Sequence, residues 1–285
     1  QDTACRNMTL QSSPSSKEPG LNDVPPGKSG NQAREVARDA ALMAGEILVR
    51  RFSQVKKVSF KGRGNIVTDV DTEVEAEVSA YLRREYPDMG FLGEETAGSR
   101  PDDGYVWIVD PLDGTRNYAN GVPHFCTVVG LAREEDVVVG VTYDPAREEM
   151  FTAEAGKGAF MNGVSISVTE AQEMSQSLLS FDLGYVDEKA GLALDMVRGL
   201  WPGIQSMRLM GSAALGIAYA ASGRVDLYFH HSLSPWDMAA GLVLVREAGG
   251  AMVDRQGNPA SLRTPSVIAS SHHLIGRFLQ ATEGS

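Results

Sequence analysis

The chain has 285 residues, with 26 Lys and Arg against 37 Asp and Glu, so its formal net charge is −11. This length allows one large domain or two smaller ones, and an apolar content of 42% is typical of a globular protein. The acidic balance argues against a nucleic-acid-binding protein and against a surface for anionic lipid, because both partners require basic patches. A small phosphorylated substrate is still compatible with this charge, because a metal ion can supply positive charge.

The first 30 residues form a leader rich in Ser, Pro and Gly, and we predict that it is disordered because it has little apolar surface to bury. We predict one folded domain over residues 31–285. The two cysteines, Cys5 and Cys126, cannot build a disulfide framework, so we expect a reducing, cytoplasmic compartment and a buried Cys126. The longest apolar run, 238–245, is too short for a membrane helix, so we expect no membrane partner.

Helical and extended patterns then follow one another along the chain. Apolar residues at helical spacing predict helices at 32–52 and 71–85. Runs rich in β-branched and aromatic residues predict the next strands, at 105–109, 125–132, 137–143, 151–160 and 164–168. Strands and helices alternate after that, with strands at 178–181, 205–209, 225–229 and 267–270 and helices at 187–199, 212–221, 235–248 and 272–281. This mixture indicates layered sheets and helices.

Two carboxylates emerge together at the end of the predicted strand 105–109. Asp110 follows the strand directly, Pro111 interrupts the ladder, and Asp113 precedes Gly114, which permits a sharp turn. Mg²⁺ prefers oxygen ligands, and backbone N–H groups at a turn bind phosphate. The pattern therefore indicates a metal and phosphate site, with a turn that merely closes the strand as the alternative.

Three further acidic groups strengthen this interpretation. Glu94 and Glu95 follow an apolar strand, the segment 66–71 opens a helix with acidic residues, and Asp237 lies in the first turn of an apolar helix. Each has a structural alternative: a solvated loop for the glutamates, an N-cap in 66–71, and an interaction with the helix dipole for Asp237. Their combination is more specific than any one of them.

That combination resembles the inositol monophosphatase family of Mg²⁺-dependent phosphomonoesterases, over residues 32–282. The segments Trp-Ile-Val-Asp-Pro-Leu-Asp-Gly-Thr at 107–115 and Trp-Asp-Met-Ala-Ala-Gly at 236–241 match its two signatures, and 211–214 and 221–226 are similar to the family. The resemblance implies an α/β (α+β) fold, a layered α-β-α-β-α sandwich shared with fructose-1,6-bisphosphatase. It also implies a homodimer.

The resemblance further implies two or three Mg²⁺ ions per site. One ion would be bound by Glu94, Asp110 and the backbone carbonyl of Leu112. A second would be bound by Asp110, Asp113 and Asp237, with Asp110 bridging the two. A third, weaker ion would associate with Glu94.

The catalytic residues implied by the resemblance are Asp71, Thr115 and Glu94. Thr115 and Asp71 resemble the family's hydroxyl–carboxylate pair, which orients and helps to deprotonate the attacking water. The phosphate would lie against the N–H groups of Gly114 and Thr115, and Glu95 would be structural.

A further set of residues would bind the organic half of the substrate. Gly211, Ser212 and Ala213 match the loop that lines the polyol pocket of the family, and Asp113 would touch a hydroxyl beside the phosphate. His230 stands where the family usually has Glu, and an imidazole lacks the two acceptor oxygens of a carboxylate. Histidinol phosphate, another sugar phosphate or a broad range of phosphomonoesters are therefore alternatives to inositol phosphate, and His230 as a mere strand-end residue is another.

We therefore expect an Mg²⁺-dependent phosphatase acting on inositol 1-phosphate or a similar polyol or sugar phosphate. The enzymatic rivals are a histidinol-phosphate phosphatase and relatives acting on fructose bisphosphate or 3′-phosphoadenosine phosphate. Arg-Asn-Tyr at 116–118, in place of the Lys-Glu-Phe typical of the nucleotide type, favours the inositol-phosphatase branch. The non-enzymatic rival is a regulatory binding protein that retains the fold.

Overall fold

The computed structural model describes residues 24–62, 64–96 and 104–283. In this part of the chain the helices are α1 Ala33–Phe52, α2 Asp69–Glu85, α3 Thr115–Ala119, α4 Asp187–Leu200, α5 Ala213–Ala221, α6 Pro235–Glu247 and α7 His272–Ala281, with a 3₁₀ turn at Met174–Gln176. None of these helices combines the length and apolarity needed to cross a membrane.

The strands form a hairpin and two larger sheets. The antiparallel hairpin consists of β1 Val58–Gly62 and β2 Asn65–Thr68. The seven-stranded sheet follows chain order through β3 Gly90–Gly93, β4 Tyr105–Asp113, β5 Cys126–Arg133, β6 Asp136–Asp144, β7 Glu149–Glu154, β8 Ala159–Met161 and β9 Val164–Ser165. The five-stranded sheet contains β10 Leu178–Phe181, β11 Ser206–Arg208, β12 Leu227–His230, β13 Ala251–Val253 and β14 Val267–Ser270, in the order β11-β10-β12-β14-β13.

Three hydrophobic cores lie between five layers, and the middle core fills both faces of the central helix layer. Along β4, Trp107 and Val109 face the core under α1 and α2, whereas Val106 and Ile108 face the core that holds α5 and α6 between the two sheets. The third core joins the outer face of the five-stranded sheet to α4 and α7. The order of layers is therefore α-β-α-β-α, and the predicted fold class is confirmed.

Two strand predictions were wrong. Strand β4 continues through Pro111 to Asp113, because its ladder with β5 is interrupted after Asp110 and resumes where Asp113 pairs with Cys126. The predicted strand 151–160 is instead two strands, β7 and β8, joined by a turn that contains positive-φ glycines.

The sequence patterns did not predict the β1–β2 hairpin, α3 or β13. All five residues of β1 are exposed, so the strand lacks the alternation of apolar and polar residues that marks a half-buried strand. Helix α3 has only five residues and β13 only three, which is too short for a periodic pattern.

The predicted leader is described only at its end, and residues 1–23 lie outside the described part of the chain. The backbone N–H groups of Lys28 and Ser29 donate to the carbonyl and the carboxylate of Glu85, each over 3.0 Å. Residues 24–30 thus lie against the end of α2. The division into a leader and one domain stays a prediction.

Helix α6 packs very closely onto the seven-stranded sheet. A Cβ added to Gly130 would lie 2.8 Å from the Cβ of Ala239, and one added to Gly140 would lie 2.7 Å from the Cα of Ala240. Glycine at these two positions lets the helix backbone approach the strands, which fixes the height of α6 and of its first turn above the sheet.

Candidate active site

Three carboxylates from two parts of the chain meet at one end of the middle helix layer. Asp110, Asp113 and Asp237 each offer an oxygen, and these oxygens lie within 4.8 Å of one another. Asp110 is 1% exposed and Asp113 is 9% exposed. The break in the β4 ladder brings Asp110 and Asp113 together, and the first turn of α6 adds Asp237.

Two helix N-termini hold this carboxylate cluster. Asp237 accepts the backbone N–H of Ser234 over 2.6 Å in the capping box of α6. Asp113 accepts the N–H groups of Ala213 and Ala214, over 3.3 and 3.1 Å, at the start of α5. The positive ends of both helix dipoles favour the ionised carboxylates, but each supplies only about half a charge.

The rest of the Asp113 environment leaves one direction free. Its Oδ2 accepts hydrogen bonds from the Ser212 hydroxyl and Ala214 N–H, with the Cys126 thiol 3.7 Å away. Among the described residues, Oδ1 accepts only the Ala213 N–H. Because each carboxylate oxygen has two acceptor positions, Oδ1 keeps one for a ligand. Cys126 is buried, as predicted.

Burial raises the pKa of all three carboxyls, and repulsion from cluster partners adds to this effect for Asp110 and Asp237. Burial, reinforced by the charge of Asp113, raises the pKa of Asp237 to about 8. Burial raises the pKa of Asp110 well above its usual range, with further contributions from Glu94 and its two cluster partners, and burial also raises that of Asp113. A buried group of oxygen ligands with surplus negative charge fits a hard divalent cation.

Glu94 lies beside the cluster, in the turn after β3. Its charge acts on Asp110 and Asp237, although it does not belong to the group within 4.8 Å. Lys61, on β1, lies 3.1 Å from Glu94 and 2.6 Å from Glu95. Burial raises the pKa of Glu94 to about 7 against the opposing effect of Lys61. Sequence reasoning missed Lys61.

Glu75 supports the turn that carries Glu94. It is 1% exposed on α2, and its two carboxylate oxygens accept the N–H groups of Glu95 and Thr96, each over 2.8 Å. A Cβ on Gly93 would overlap this carboxylate. Sequence reasoning missed Glu75 as well.

Asp71 and Thr115, which the sequence suggested as a hydroxyl–carboxylate pair, are hydrogen-bonded to each other. Asp71 is 1% exposed in the first turn of α2, where it accepts the N–H of Thr68 over 2.9 Å. The Thr115 hydroxyl lies 3.1 Å from the second Asp71 oxygen and 2.9 Å from the carbonyl of Leu112. Burial raises the pKa of Asp71 to about 6. The Leu112 carbonyl therefore lies beside this pair, and its role as a metal ligand stays a prediction.

The loop before α5 is held by a buried acid that the sequence patterns did not reveal. Asp182 accepts the N–H groups of Gly211 and Met210, over 2.6 and 3.1 Å, and the Tyr228 hydroxyl over 3.2 Å. Gly114 has a positive φ of 87°, and a Cβ there would lie 3.3 Å from the Gly211 carbonyl. The predicted residues Gly211, Ser212 and Ala213 thus surround Gly114 and Asp113.

His230 is 3% exposed at the end of β12. Its Nδ1 accepts the N–H of Ser232 over 3.0 Å, and its ring packs against Gly184. Burial lowers the pKa of His230 to about 4, so the imidazole is neutral at pH 7. This hydrogen bond joins His230 to its own loop and not to the carboxylate cluster.

Known proteins resemble this chain over most of its length. The inositol monophosphatase family matches residues 31–284. Inositol monophosphatase 3 of Solanum lycopersicum is 38% identical over 89% of this chain and 97% of that protein, and Nus factor SuhB of Haemophilus influenzae is 37% identical over 87% and 95%. The crystal structure of extragenic suppressor protein suhB from Bartonella henselae has a TM-score of 0.84 and 34% identity, over 88% of this chain and 98% of that one.

Proposed function

The chain belongs to the inositol monophosphatase family, and we propose that it hydrolyses the phosphate monoester of a small polyol or sugar in an Mg²⁺-dependent reaction. The observation that carries this proposal is the buried carboxylate cluster beside the Asp71–Thr115 pair. A metal-dependent phosphatase needs a cation-binding site, which the cluster would provide, and a group that orients the attacking water, which the pair would provide.

Asp110, Asp113 and Asp237 would hold Mg²⁺, with Glu94 and the Leu112 carbonyl as further ligands for two or three ions. When bound there, Mg²⁺ neutralises phosphate charge and makes water in the site more acidic. The donor set supports this choice, because all of these ligands are oxygens.

The chain's own residues position the reactants. Asp71 accepts a hydrogen bond from the Thr115 hydroxyl, so the Thr115 oxygen can in turn accept a hydrogen bond from the attacking water. The N–H groups of Gly114 and Thr115 face the phosphate. Ser212 and the start of α5 fix the rotamer of Asp113, so that no reorganisation is needed when substrate binds.

Inositol 1-phosphate is the first candidate substrate, because named relatives are inositol monophosphatases. His230 stands where the family usually has Glu, so histidinol phosphate and sugar phosphates are the alternative substrates. Similarity to a Nus factor is compatible with a regulatory role for this chain, but the assembled carboxylates and Thr115 support catalysis. A homodimer and a cytoplasmic location stay predictions.

A phosphate-release screen over polyol and sugar phosphates, with and without Mg²⁺, tests the proposal. We expect Asp113→Asn to lower Mg²⁺-dependent turnover by about 100-fold or more, because it removes a ligand charge and a fixed acceptor. Asp88→Asn, the same change at an exposed turn residue, serves as the control. Near-normal turnover by folded Asp113→Asn protein would contradict the site assignment.

A further inference from the structure

Arg116 follows Thr115 in the chain, but its side chain leaves the carboxylate cluster and ends at the rim of the site. Its Nε donates to the Gly64 carbonyl over 2.6 Å. Its guanidinium carbon lies 4.4 Å from the centre of the Tyr185 ring. A Cβ on Gly64 would overlap Nη2 of Arg116, so the guanidinium packs closely against that glycine. Three contacts therefore fix its orientation.

This guanidinium has no carboxylate partner among the described residues, although the site beside it is strongly acidic. Among the described residues of the site, the ion pairs are those of Lys61 with Glu94 and Glu95. Both terminal nitrogens of Arg116 also lack a described acceptor, whereas Nε is satisfied. A fixed guanidinium with free terminal N–H groups matches the geometry of a carboxylate or a phosphate.

Tyr185 connects Arg116 to the cluster. It is 44% exposed, which places it at the surface. Burial raises the pKa of its hydroxyl; the charges of Asp113, Glu94 and Asp237 add to this, and Arg116 opposes it. The Tyr185 ring is therefore in contact with Arg116 and close enough to the cluster for its charges to act on the hydroxyl.

The proposed phosphate position lies at Gly114 and Thr115, directly before the exposed Arg116, so the organic half of a substrate bound there can reach Arg116. We infer that Arg116 is a specificity-determining residue that binds a second anionic group, a phosphate or a carboxylate, on the organic half of the substrate. The inference rests on the proposed phosphatase function. Removing Arg116 would remove the terminal N–H donors and the positive charge that pair with this second anion.

Three matched substrates test the inference. Glucose 1-phosphate has a neutral far end, glucuronate 1-phosphate places a carboxylate there, and glucose 1,6-bisphosphate places a phosphate there. We expect wild-type kcat/KM to be at least about tenfold higher for the two anionic substrates than for glucose 1-phosphate, the factor typical of a hydrogen bond to a charged group. A preference for both anionic substrates would identify a general anion site. A preference for glucose 1,6-bisphosphate alone would identify a site selective for phosphate.

We expect Arg116→Gln to reduce this preference to less than about threefold, mainly through KM, with a smaller loss on glucose 1-phosphate. Arg116→Lys should retain part of the preference, because it keeps the charge and loses the fork. Arg198→Gln, the same change on an exposed helix face, should leave all three rates unchanged. Measurements at low and high salt separate binding at Arg116 from long-range steering, which salt suppresses.

Hydrolysis of glucose 1-phosphate by the wild type tests the proposed function, and the ratio of substrates tests Arg116. A wild-type ratio near one overturns the inference, as does an equal loss on all three substrates in Arg116→Gln, which would make the Arg116–Tyr185 contact purely structural. Either result is compatible with the proposed function, because glucose 1-phosphate would still be hydrolysed.

Discussion

Replacing Glu75 with Gln perturbs the site without touching any proposed ligand. The buried Glu75 carboxylate accepts the N–H groups of Glu95 and Thr96, and so fixes the turn that presents Glu94. In Glu75→Gln one oxygen remains, and the new NH₂ group faces an N–H that it cannot satisfy. The turn should shift, and Glu94 should lose its fixed position beside the cluster.

The magnitude follows from the two hydrogen bonds. A hydrogen bond to a charged acceptor contributes about 1.5–3 kcal/mol, and leaving a buried donor unpaired costs a similar amount. Since one of the two bonds survives, the loss is that of one charged hydrogen bond, and we expect the free energy of unfolding to fall by about 1.5–3 kcal/mol. Residues that orient a metal ligand typically change metal affinity by about 10–100-fold, which we expect for Mg²⁺ here.

Urea unfolding would give the stability, and calorimetric titration with Mg²⁺ would give the affinity of the folded protein. Glu77→Gln is the matched control, because Glu77 is an exposed residue of the same helix. It should change the free energy of unfolding by no more than about 0.5 kcal/mol. A destabilised Glu75→Gln protein that binds Mg²⁺ normally would refute the positioning role, because Glu75 would then serve the fold alone.

Three other predictions concern the site itself. The pKa of Asp237 is about 8 in the folded protein and near 4 in the unfolded chain, so between these pH values the folded state binds a proton that the unfolded chain has lost. The metal-free protein should therefore lose stability as pH rises from about 4 to about 8. Urea unfolding should show this slope, about 1.4 kcal/mol per pH unit at most for one carboxyl, and excess Mg²⁺ should flatten it. Thr115→Val should lower kcat by about 100-fold or more while Thr115→Ser retains most of it, and equal rates for the two would exclude the hydroxyl from proton transfer. His230→Glu should shift the kcat/KM ratio of inositol 1-phosphate to histidinol phosphate, and an unchanged ratio would make His230 a bystander.

The main helices and the large sheet could be predicted because each has a clear local pattern. Apolar residues repeat along α1 and α2 with helical spacing, and the run before Asp110 is too apolar to be anything but buried. The proposed ligands were also recognisable, because acidic residues follow strand ends and open helices. These signals lie within short segments of the chain.

The supporting residues could not be predicted in the same way, because their roles arise from contacts between distant segments. Lys61 lies on a fully exposed strand and meets Glu94 across 33 residues. Asp182 meets Gly211 across 29 residues. Nothing in the sequence around Glu75 distinguishes it from the other acidic residues of α2; only the folded structure shows that it is buried under a turn.

The contact between α6 and the sheet reaches further than packing. Gly130 and Gly140 lie outside the carboxylate cluster, yet they allow α6, which carries Asp237, to pack closely on the sheet that carries Asp110. A methyl group at either position would push α6 away from the sheet, and Asp237 would move with the helix. We therefore expect substitutions at Gly130 and Gly140 to be tolerated as poorly as substitutions of the carboxylates in the cluster. A variant can then be inactive without any substitution in its active site.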